Sequence, residues 1–497
     1  MTVYITMAGI VLGLPSGLLA SPETASSEGV QGVWIKVQPN NVSSVAISGT
    51  NLQTGTTGVL SQIPFTSQQI NFTLPGGRRG MWIDTSRSFL SFRVRYQVTT
   101  AGASTSTTTT AFLNAGAMSW FDRETTYNAE GVVLDDMTNL GQIIHHDSLF
   151  NYDIAMRDSV ALNQGFKFEG SSTGLNDVQG HSIPAFTVSS ANSIATGSNY
   201  FSYAVPLFNP VVGMLNKSGF FPLGHVPKLD LQLTTAAIAP VSISSSVALT
   251  AGAVAYTIDN MSISLFAVYL DAPSLQLLGS PREHYVHAKT YRVAVNQIPA
   301  NTTGQQSYLI GARGRSVRSI ATRVSDSVIS TAGSASGIYD SKLPLVSSIN
   351  YLFNGRDRMP PNPINLSINP SEAFLRTLYS HEEYKADEGR SSVTPSAFCR
   401  YWATGTAPSA GTQDQQIIDA GSSSATGNLA SFCFAEDLRK FSNSKIMDGQ
   451  NLSQSAAHFL ELNISNPPSN AQNLSFITCL DAVVSVDMES GMVSVMM

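Results

Sequence analysis

The chain has 497 residues, of which 42% are hydrophobic and only 12% are charged, and its formal net charge is −6. This length is enough for at least two packed domains, and the hydrophobic fraction excludes a disordered chain. The 28 basic residues form no block at either end, which excludes a basic arm that would neutralise nucleic-acid phosphates.

The first twenty residues are apolar and uncharged, and two interpretations of them stay open. Leu18-Leu19-Ala20 is similar to the end of a signal peptide, but no basic residue precedes it and Pro15 interrupts the apolar run. We favour an apolar arm that packs on a neighbouring subunit. Residues 1–50 are therefore assigned to an N-terminal arm and the lead-in to the first domain.

Strict alternation of apolar and polar residues predicts strands along much of the chain. One strand is predicted at residues 90–98 and another at residues 228–234, after a compact apolar loop. The apolar residues change parity between Leu265 and Phe266, which predicts a bulge or a bend. The residues assigned to the core of the first domain are Pro206, Leu207, Leu229, Leu231 and Leu233.

The alternating pattern restarts at residues 291–296 and returns at residues 484–489, which predicts a second domain of the same kind. We therefore place a first sandwich at 51–272, a linker at 273–283 and a second sandwich at 284–497. The fold class is mainly β, with a few short helices in loops. One helix is predicted to begin at Asn369-Pro370-Ser371-Glu372. Its predicted apolar face consists of Phe374, Leu375, Leu378 and Tyr379.

Four segments of the chain resemble the double jelly-roll major capsid proteins of the polinton-like and adenovirus-hexon-like DNA virus lineage. These segments are residues 72–96, residues 113–143, the loop that begins at Val205, and residues 440–450 together with the terminal VVSVDMESGMVSV. Asn443 follows Phe441-Ser442 where the giant-virus branch has Arg, so the resemblance does not extend to that branch.

The resemblance implies two jelly rolls side by side in each chain and a homotrimer of pseudo-hexagonal outline. It further implies an icosahedral shell around a DNA genome, formed inside the host cell. The implied partners are neighbouring trimers, penton proteins and minor capsid proteins. It implies no enzyme activity, no cofactor and no sequence-specific nucleic-acid binding, and it leaves an internal membrane open.

Three short motifs contain residue types that occur in catalytic or metal sites. Residues 170–174 match G-x-S-x-G, but this nucleophile motif needs a strand before it and a helix after it, whereas a loop follows here. A hydrolase is therefore a distant third hypothesis. His145-His146-Asp147 is expected on a strand, where adjacent side chains point to opposite faces, which favours surface or interface histidines over a metal site. Asp84-Thr85-Ser86 has no second copy to supply a paired carboxylate.

The basic residues, the cysteines and the N-x-S/T sequons each give a further expectation about contacts or function. Arg313, Arg315, Arg318 and Arg323 form the densest basic cluster, which would contact an acidic patch at an interface, a genome or an internal membrane. The three widely spaced cysteines are expected to be buried free thiols and hold no metal. Nine N-x-S/T sequons sustain an alternative function, a secreted or cell-surface β-sandwich adhesin.

Overall fold

The computed structural model describes residues 30–49, 58–60, 67–78, 80–100, 109–113, 117–151, 200–236, 241–245, 249–270, 283–311, 313–326, 346–355, 357–366, 369–381, 432–440, 447–453, 457–465, 467 and 471–497. The predicted arm, nearly all of the predicted linker, the G-x-S-x-G motif, Cys399 and the Phe441-Ser442-Asn443 motif lie outside the described residues.

The first half of the chain forms a β-sandwich with a small third sheet. Its six-stranded sheet contains β1 (Val30–Val37), β2 (Ser44–Gly49), β5 (Met81–Thr100), β9 (Tyr200–Pro206), β10 (Phe220–Phe221) and β13 (Leu249–Leu270). Its four-stranded sheet has the order β4 (Gln69–Pro75), β11 (Lys228–Thr235), β7 (Phe121–Tyr127) and β8 (Val133–Thr138). The third sheet has the order β3 (Gly58–Leu60), β12 (Val241–Ser245) and β6 (Thr109–Leu113).

The second half of the chain repeats this plan with two sheets. One has the order β14 (Glu283–Ile298), β21 (Gln472–Asp487), β16 (Val317–Asp326) and β19 (Phe434–Asp437), with β22 (Val493–Met496) also paired to β21. The other has the order β15 (Gly304–Leu309), β20 (Phe459–Ile464), β17 (Val346–Phe353) and β18 (Asp357–Ile364). All pairings among these described strands are antiparallel.

Aromatic contacts show how the sheets of each sandwich face one another. In the first sandwich, the ring of Phe92 in β5 lies 5.3 Å from that of Phe121 in β7. In the second, Tyr351 in β17 stacks on Phe434 in β19 at 5.0 Å, and its hydroxyl shares a 2.7 Å hydrogen bond with Thr322 in β16. The buried apolar side chains of both sandwiches form one continuous cluster, so the two halves pack as a single body.

The alternation in the sequence corresponds to the observed burial along the long strands. In β11 the burial pattern alternates over the whole strand. The register between β13 and β5 shifts between Ser264 and Phe266, which confirms the predicted bulge. The first sheet begins earlier than expected, because β1 and β2 lie within the predicted lead-in and both pair with β13.

Two α-helices are described, α1 (Leu140–Asn151) and α2 (Pro370–Tyr379). The predicted start of α2 is confirmed, although the Asn369 side chain makes no cap to the backbone and its amide donates to Glu372 instead. The predicted apolar face is rotated: Phe374 and Leu378 are buried, whereas Leu375 and Tyr379 are about two-fifths exposed. Packing on β19 decides which stripe of this short helix is covered. Among the described residues, no helix is long and apolar enough to cross a membrane.

Candidate functional site: the junction between the sandwiches

A compact loop at residues 207–219 gives the first sandwich its contact surface. The Asn209 amide donates to the Glu124 carboxylate at 2.6 Å and to the Thr126 hydroxyl at 2.8 Å, and its oxygen accepts from two backbone N–H groups of the loop. Gly213 is required there, because a Cβ atom would lie 2.1 Å from the carbonyl oxygen of Leu207. Side-chain hydrogen bonds thus hold the loop in one shape.

This loop pairs with β14, the first strand of the second sandwich. The Lys217 N–H donates to the carbonyl of His287 at 2.8 Å, and the Lys289 N–H donates to the carbonyl of Leu215 at 3.0 Å. The His287 N–H donates to the Ser218 hydroxyl at 3.1 Å. Because these bonds involve mainly backbone groups, the relative position of the two sandwiches is set by the main chain as well as by side chains.

Helix α1 is the second contact element, and it corrects the expectation for His145-His146-Asp147. These residues lie on a helix rather than a strand, and all three are buried rather than at the surface. A short apolar run such as Ile143-Ile144 does not separate helix from strand by periodicity alone. On a helix, neighbouring residues are about 100° apart, so three in succession point in different directions, and all three are buried because α1 is covered on nearly every side.

Two of these side chains form polar contacts with strands of the second sandwich. The Asp147 carboxylate accepts from the Tyr291 hydroxyl at 2.7 Å, and the Lys289 ammonium lies 3.4 Å from it. The Arg323 guanidinium donates to Nδ1 of His145 at 2.8 Å. A hydrogen bond to a charged group in a buried site is among the stronger polar contacts in proteins.

A further ion pair between the two sandwiches links β8 to β14. The Asp135 carboxylate accepts from the Arg292 guanidinium at 2.8 Å and from the Thr290 hydroxyl at 2.8 Å. In the contacts of Asp135, Asp147 and His145, the acceptor belongs to the first sandwich and the cation to the second. These three contacts are therefore electrostatically complementary across the junction.

Burial and charge together set the pKa values in the junction. Burial alone would raise the pKa of Asp147, but Lys289 and the Tyr291 hydroxyl hold it below its usual value. The pKa of Asp135 is raised by burial, with Arg292 opposing. The pKa of His146 is lowered by burial and by nearby cations, beginning with His381, so its imidazole is neutral.

Glu124, next to this junction, has a pKa that burial raises strongly. Its side chain is 1% exposed, and burial raises its pKa to about 8, with the Asn209 hydrogen bond opposing and Asp135 adding to the rise. It is therefore mainly protonated at neutral pH.

A second contact region lies at the other end of the junction. The Trp82 ring of β5 packs edge-on against His284 of β14 with centroids 5.0 Å apart, and Met488 covers it. The Ser490-Gly491 turn of the second sandwich lies against the first sandwich, since a Cβ atom on Gly491 would lie 2.4 Å from the carbonyl oxygen of His225. Gly491 also has a φ of 72°, which favours glycine.

Comparison with known proteins gives a match at the level of structure. No protein-family model and no curated protein sequence matches the chain. The crystal structure of VP54 of PBCV-1, fitted into a reconstruction of the virophage Sputnik, matches with a TM-score of 0.52 at 11% identity and covers 94% of this chain and 97% of VP54. A chain of the Sputnik virophage structure matches with a TM-score of 0.52 at 12% identity and covers 90% of this chain and 89% of that chain.

Both matched structures are double jelly-roll major capsid proteins. The chain has the double jelly-roll fold. Each sandwich described above is one jelly roll, and the junction holds the two jelly rolls side by side.

Within this double jelly roll, the five residues assigned to the first core lie as follows. Leu207, Leu229, Leu231 and Leu233 are each fully buried. Pro206, at the end of β9, is only partly buried and lies opposite Phe89 of β5.

The predicted arginine cluster does not form one surface. Arg318 and Arg323 are buried, and Arg318 donates to Asp481 at 2.6 Å, whereas Arg313 and Arg315 are exposed. Arg323 bonds to His145 of the first jelly roll, whereas Arg318 bonds within the second, and each buried guanidinium has a polar partner in place of solvent. A cavity of about 20 Å³ lies beside Arg318, lined also by His146, Lys289, Tyr291 and His381 among others, with room for about one water molecule.

Three other sequence features, the Asp84 motif, the cysteines and the sequon at Asn216, are explained by local contacts in the described part of the chain. Asp84 accepts from the backbone and hydroxyl of Ser86 and lies 3.2 Å from Arg87, all within β5. Cys433 and Cys479 are free and buried. No group of three or more metal-ligating side chains occurs among the described residues. The sequon residue Asn216 is 5% exposed and its amide is bonded within the loop, which leaves no room for a glycan on it in this fold.

Proposed function

We propose that the chain is a major capsid protein that assembles as a homotrimer and tiles an icosahedral shell around a viral DNA genome. The observation that carries this proposal is the match to VP54, which extends over 94% of this chain and 97% of VP54 and so includes both jelly rolls. A single jelly roll occurs in proteins of many functions, whereas the side-by-side pair is a much narrower architecture.

The junction supports this role physically. Two jelly rolls joined by backbone pairing and buried ion pairs act as one rigid block, and three such chains supply six jelly rolls, which approximate a hexagonal tile. Rigid blocks are needed because a shell repeats the same contacts many times, and a flexible hinge would give each copy a different outline.

The ionisable side chains support a structural role over a catalytic one. His145, Asp147 and Arg323, which are the residue types that catalysis requires, are buried and bonded across the junction. The protein accordingly belongs in the virion, assembled within the host cell. Its partners are neighbouring trimers, penton proteins and minor capsid proteins, and it needs no cofactor.

The proposed domain boundaries are those expected from the sequence. The first jelly roll ends at residue 272 and the second begins at residue 284. The apolar segment before β1 would bind a neighbouring trimer, a minor capsid protein or the inner side of the shell. The exposed pair Arg313 and Arg315 would contact an acidic patch on such a neighbour.

Light scattering on purified protein, followed by electron microscopy of assembled material, tests this function. We expect particles of three chains at low concentration and uniform icosahedral shells under assembly conditions. A protein that stays monomeric at high concentration and forms no shells would overturn the proposal.

A further inference from the structure

Strand β1 is an edge strand with unusual exposure. Residues 30–37 pair with β13 on one side, and among the described residues no strand pairs with the other side. Val33 is 48% exposed and Trp34 is 53% exposed, although adjacent side chains of a strand point to opposite faces. An open edge with apolar side chains on both faces is a template for another strand.

Four other edges of the two jelly rolls are protected in the structure. The edge of β4 is capped by the loop before β2, where Asn41 both donates to the Gln69 carbonyl and accepts from the Asn71 N–H. The edge of β14 is paired with the loop at residues 215–218. Strand β18 carries three prolines, and α2 packs on β19. Within the described residues, the edge of β1 lacks such protection. It also differs from the open edge strand β15, whose sequence GQQSYL is mainly polar, because β1 exposes apolar side chains on both of its faces.

The surface beside β1 extends its apolar character. The Trp34 ring packs edge-on against Phe266 of β13 at 5.1 Å and against Phe89 of β5 at 5.6 Å. The Arg87 guanidinium lies 4.8 Å above the Phe266 ring. This aromatic cluster holds Trp34 in one orientation, so an approaching partner meets a pre-organised surface.

We propose that β1 pairs antiparallel with β1 of a second copy of the chain, so that two six-stranded sheets join across a two-fold axis. The strand sequence VQGVWIKV has one charge, Lys36, which lies near one end. Antiparallel pairing places the two Lys36 ammonium groups at opposite ends of the ribbon, whereas parallel pairing would set them side by side. Two β1 strands therefore avoid repulsion between their Lys36 charges when they pair antiparallel, but not when they pair parallel.

The two-fold symmetry of an antiparallel β1 pair determines which chains the pair joins. An antiparallel pair of identical strands requires a two-fold axis, which a three-fold trimer does not contain. The β1 pair would therefore link one trimer to the next and would not form within a trimer. This step rests on the proposed function, since it presupposes that trimers form.

Two sets of variants test the pairing in the full-length protein. Val33→Lys places a charge in the pair, and Leu309→Lys places the same charge on the edge strand β15, where Leu309 is 54% exposed. Light scattering and electron microscopy would follow trimers and their association. We expect Val33→Lys trimers to associate about tenfold more weakly or worse, which corresponds to about 1.4 kcal/mol. Leu309→Lys trimers should behave as wild type.

Cysteine cross-linking locates the axis directly. Val33→Cys, Trp34→Cys and Ile35→Cys would be oxidised one at a time, with Leu309→Cys as the control for the natural cysteines. At least one β1 variant should form a disulfide between identical positions of two chains, because antiparallel pairing about a two-fold axis brings such positions together. The same disulfide should form when residues 1–27 are deleted.

The outcomes separate the two proposals. Trimers that associate equally well with Val33→Lys, or that give no β1 disulfide at any of the three positions, would overturn the β1 pairing and leave the trimer intact. Loss of the disulfide on deletion of residues 1–27 would show that the arm is part of the contact and would overturn pairing by β1 alone. Absence of trimers in every variant and in the wild type would overturn the proposed function itself.

Discussion

The carboxylate of Asp147 accepts a 2.7 Å hydrogen bond from the hydroxyl of Tyr291, although the two residues are 144 positions apart and lie in different jelly rolls. Both are 5% exposed or less. The contact closes the junction between α1 and β14, and the Lys289 ammonium lies beside it. It therefore offers a direct way to measure how firmly the two jelly rolls are joined.

Tyr291→Phe should destabilise the protein by about 1–3 kcal/mol, because a buried carboxylate loses a hydrogen-bond donor while the ring remains. Denaturant unfolding measures the change. The matched control is Tyr127→Phe, whose hydroxyl makes a longer 3.4 Å contact with Gln232 at a less buried site and should cost less than about 0.5 kcal/mol. Equal stability of the two variants would mean that the Asp147 contact does not strengthen the junction.

Glu124→Gln should change how stability depends on pH. The folded-state pKa of Glu124 is about 8 against the usual 4.5, so the unfolded chain releases this proton first as the pH rises. Wild-type stability from this group is fully present below pH 4.5 and is lost progressively up to about pH 8, by about 5 kcal/mol. The glutamine variant carries no such proton and should gain stability relative to wild type across this range.

Unfolding free energies at pH 5 and pH 8 for both proteins isolate this contribution, because the other groups titrate in both. The exposed Glu489→Gln serves as the control and should follow the wild-type curve. A Glu124→Gln variant with an unchanged pH dependence would show that the glutamate is ionised in the folded protein.

Leu231→Asp should prevent stable folding. Leu231 is fully buried in β11 between Phe72 of β4 and Thr126 of β7, so the substitution would bury a carboxylate in an apolar core at a cost of several kcal/mol. Circular dichroism and soluble yield measure the effect. Gln232→Asp, one residue later on the opposite face, should fold. Soluble and assembled Leu231→Asp protein would contradict the register of β11.

Deletion of residues 1–27 should leave folded trimers but impair shell assembly. The described strands begin at Val30, so the deletion removes no strand from the six-stranded sheet. An apolar arm gains burial only where a partner covers it, and assembly supplies that partner. Light scattering would report the trimer and electron microscopy the shells. Normal shells would contradict a role for the arm in assembly, and loss of the trimer would make the arm part of the fold.

The sequence by itself determined the class of the protein and many of its strands. Alternation along residues 228–234 and 90–98 predicted β11 and much of β5, because a strand with one buried face needs apolar residues at every second position. The parity change at Phe266 and the proline at the start of α2 are likewise local signals. Such features depend on residues that are neighbours in the chain.

The junction was decided only by the tertiary structure. The sequence predicts His145-His146-Asp147 on a strand, at the surface or an interface, and Arg318 and Arg323 in one basic cluster, yet all five side chains are buried near the contact between the two jelly rolls. Their partners are distant in the chain, as Arg323 and His145 are separated by 178 positions. A charged side chain is stable in a buried site only when its partner is present. For Arg323 and Asp147 that partner is supplied by the packing of one jelly roll on the other, and for Arg318 it is supplied by Asp481 on a distant strand of the same jelly roll, which no local pattern of residues encodes.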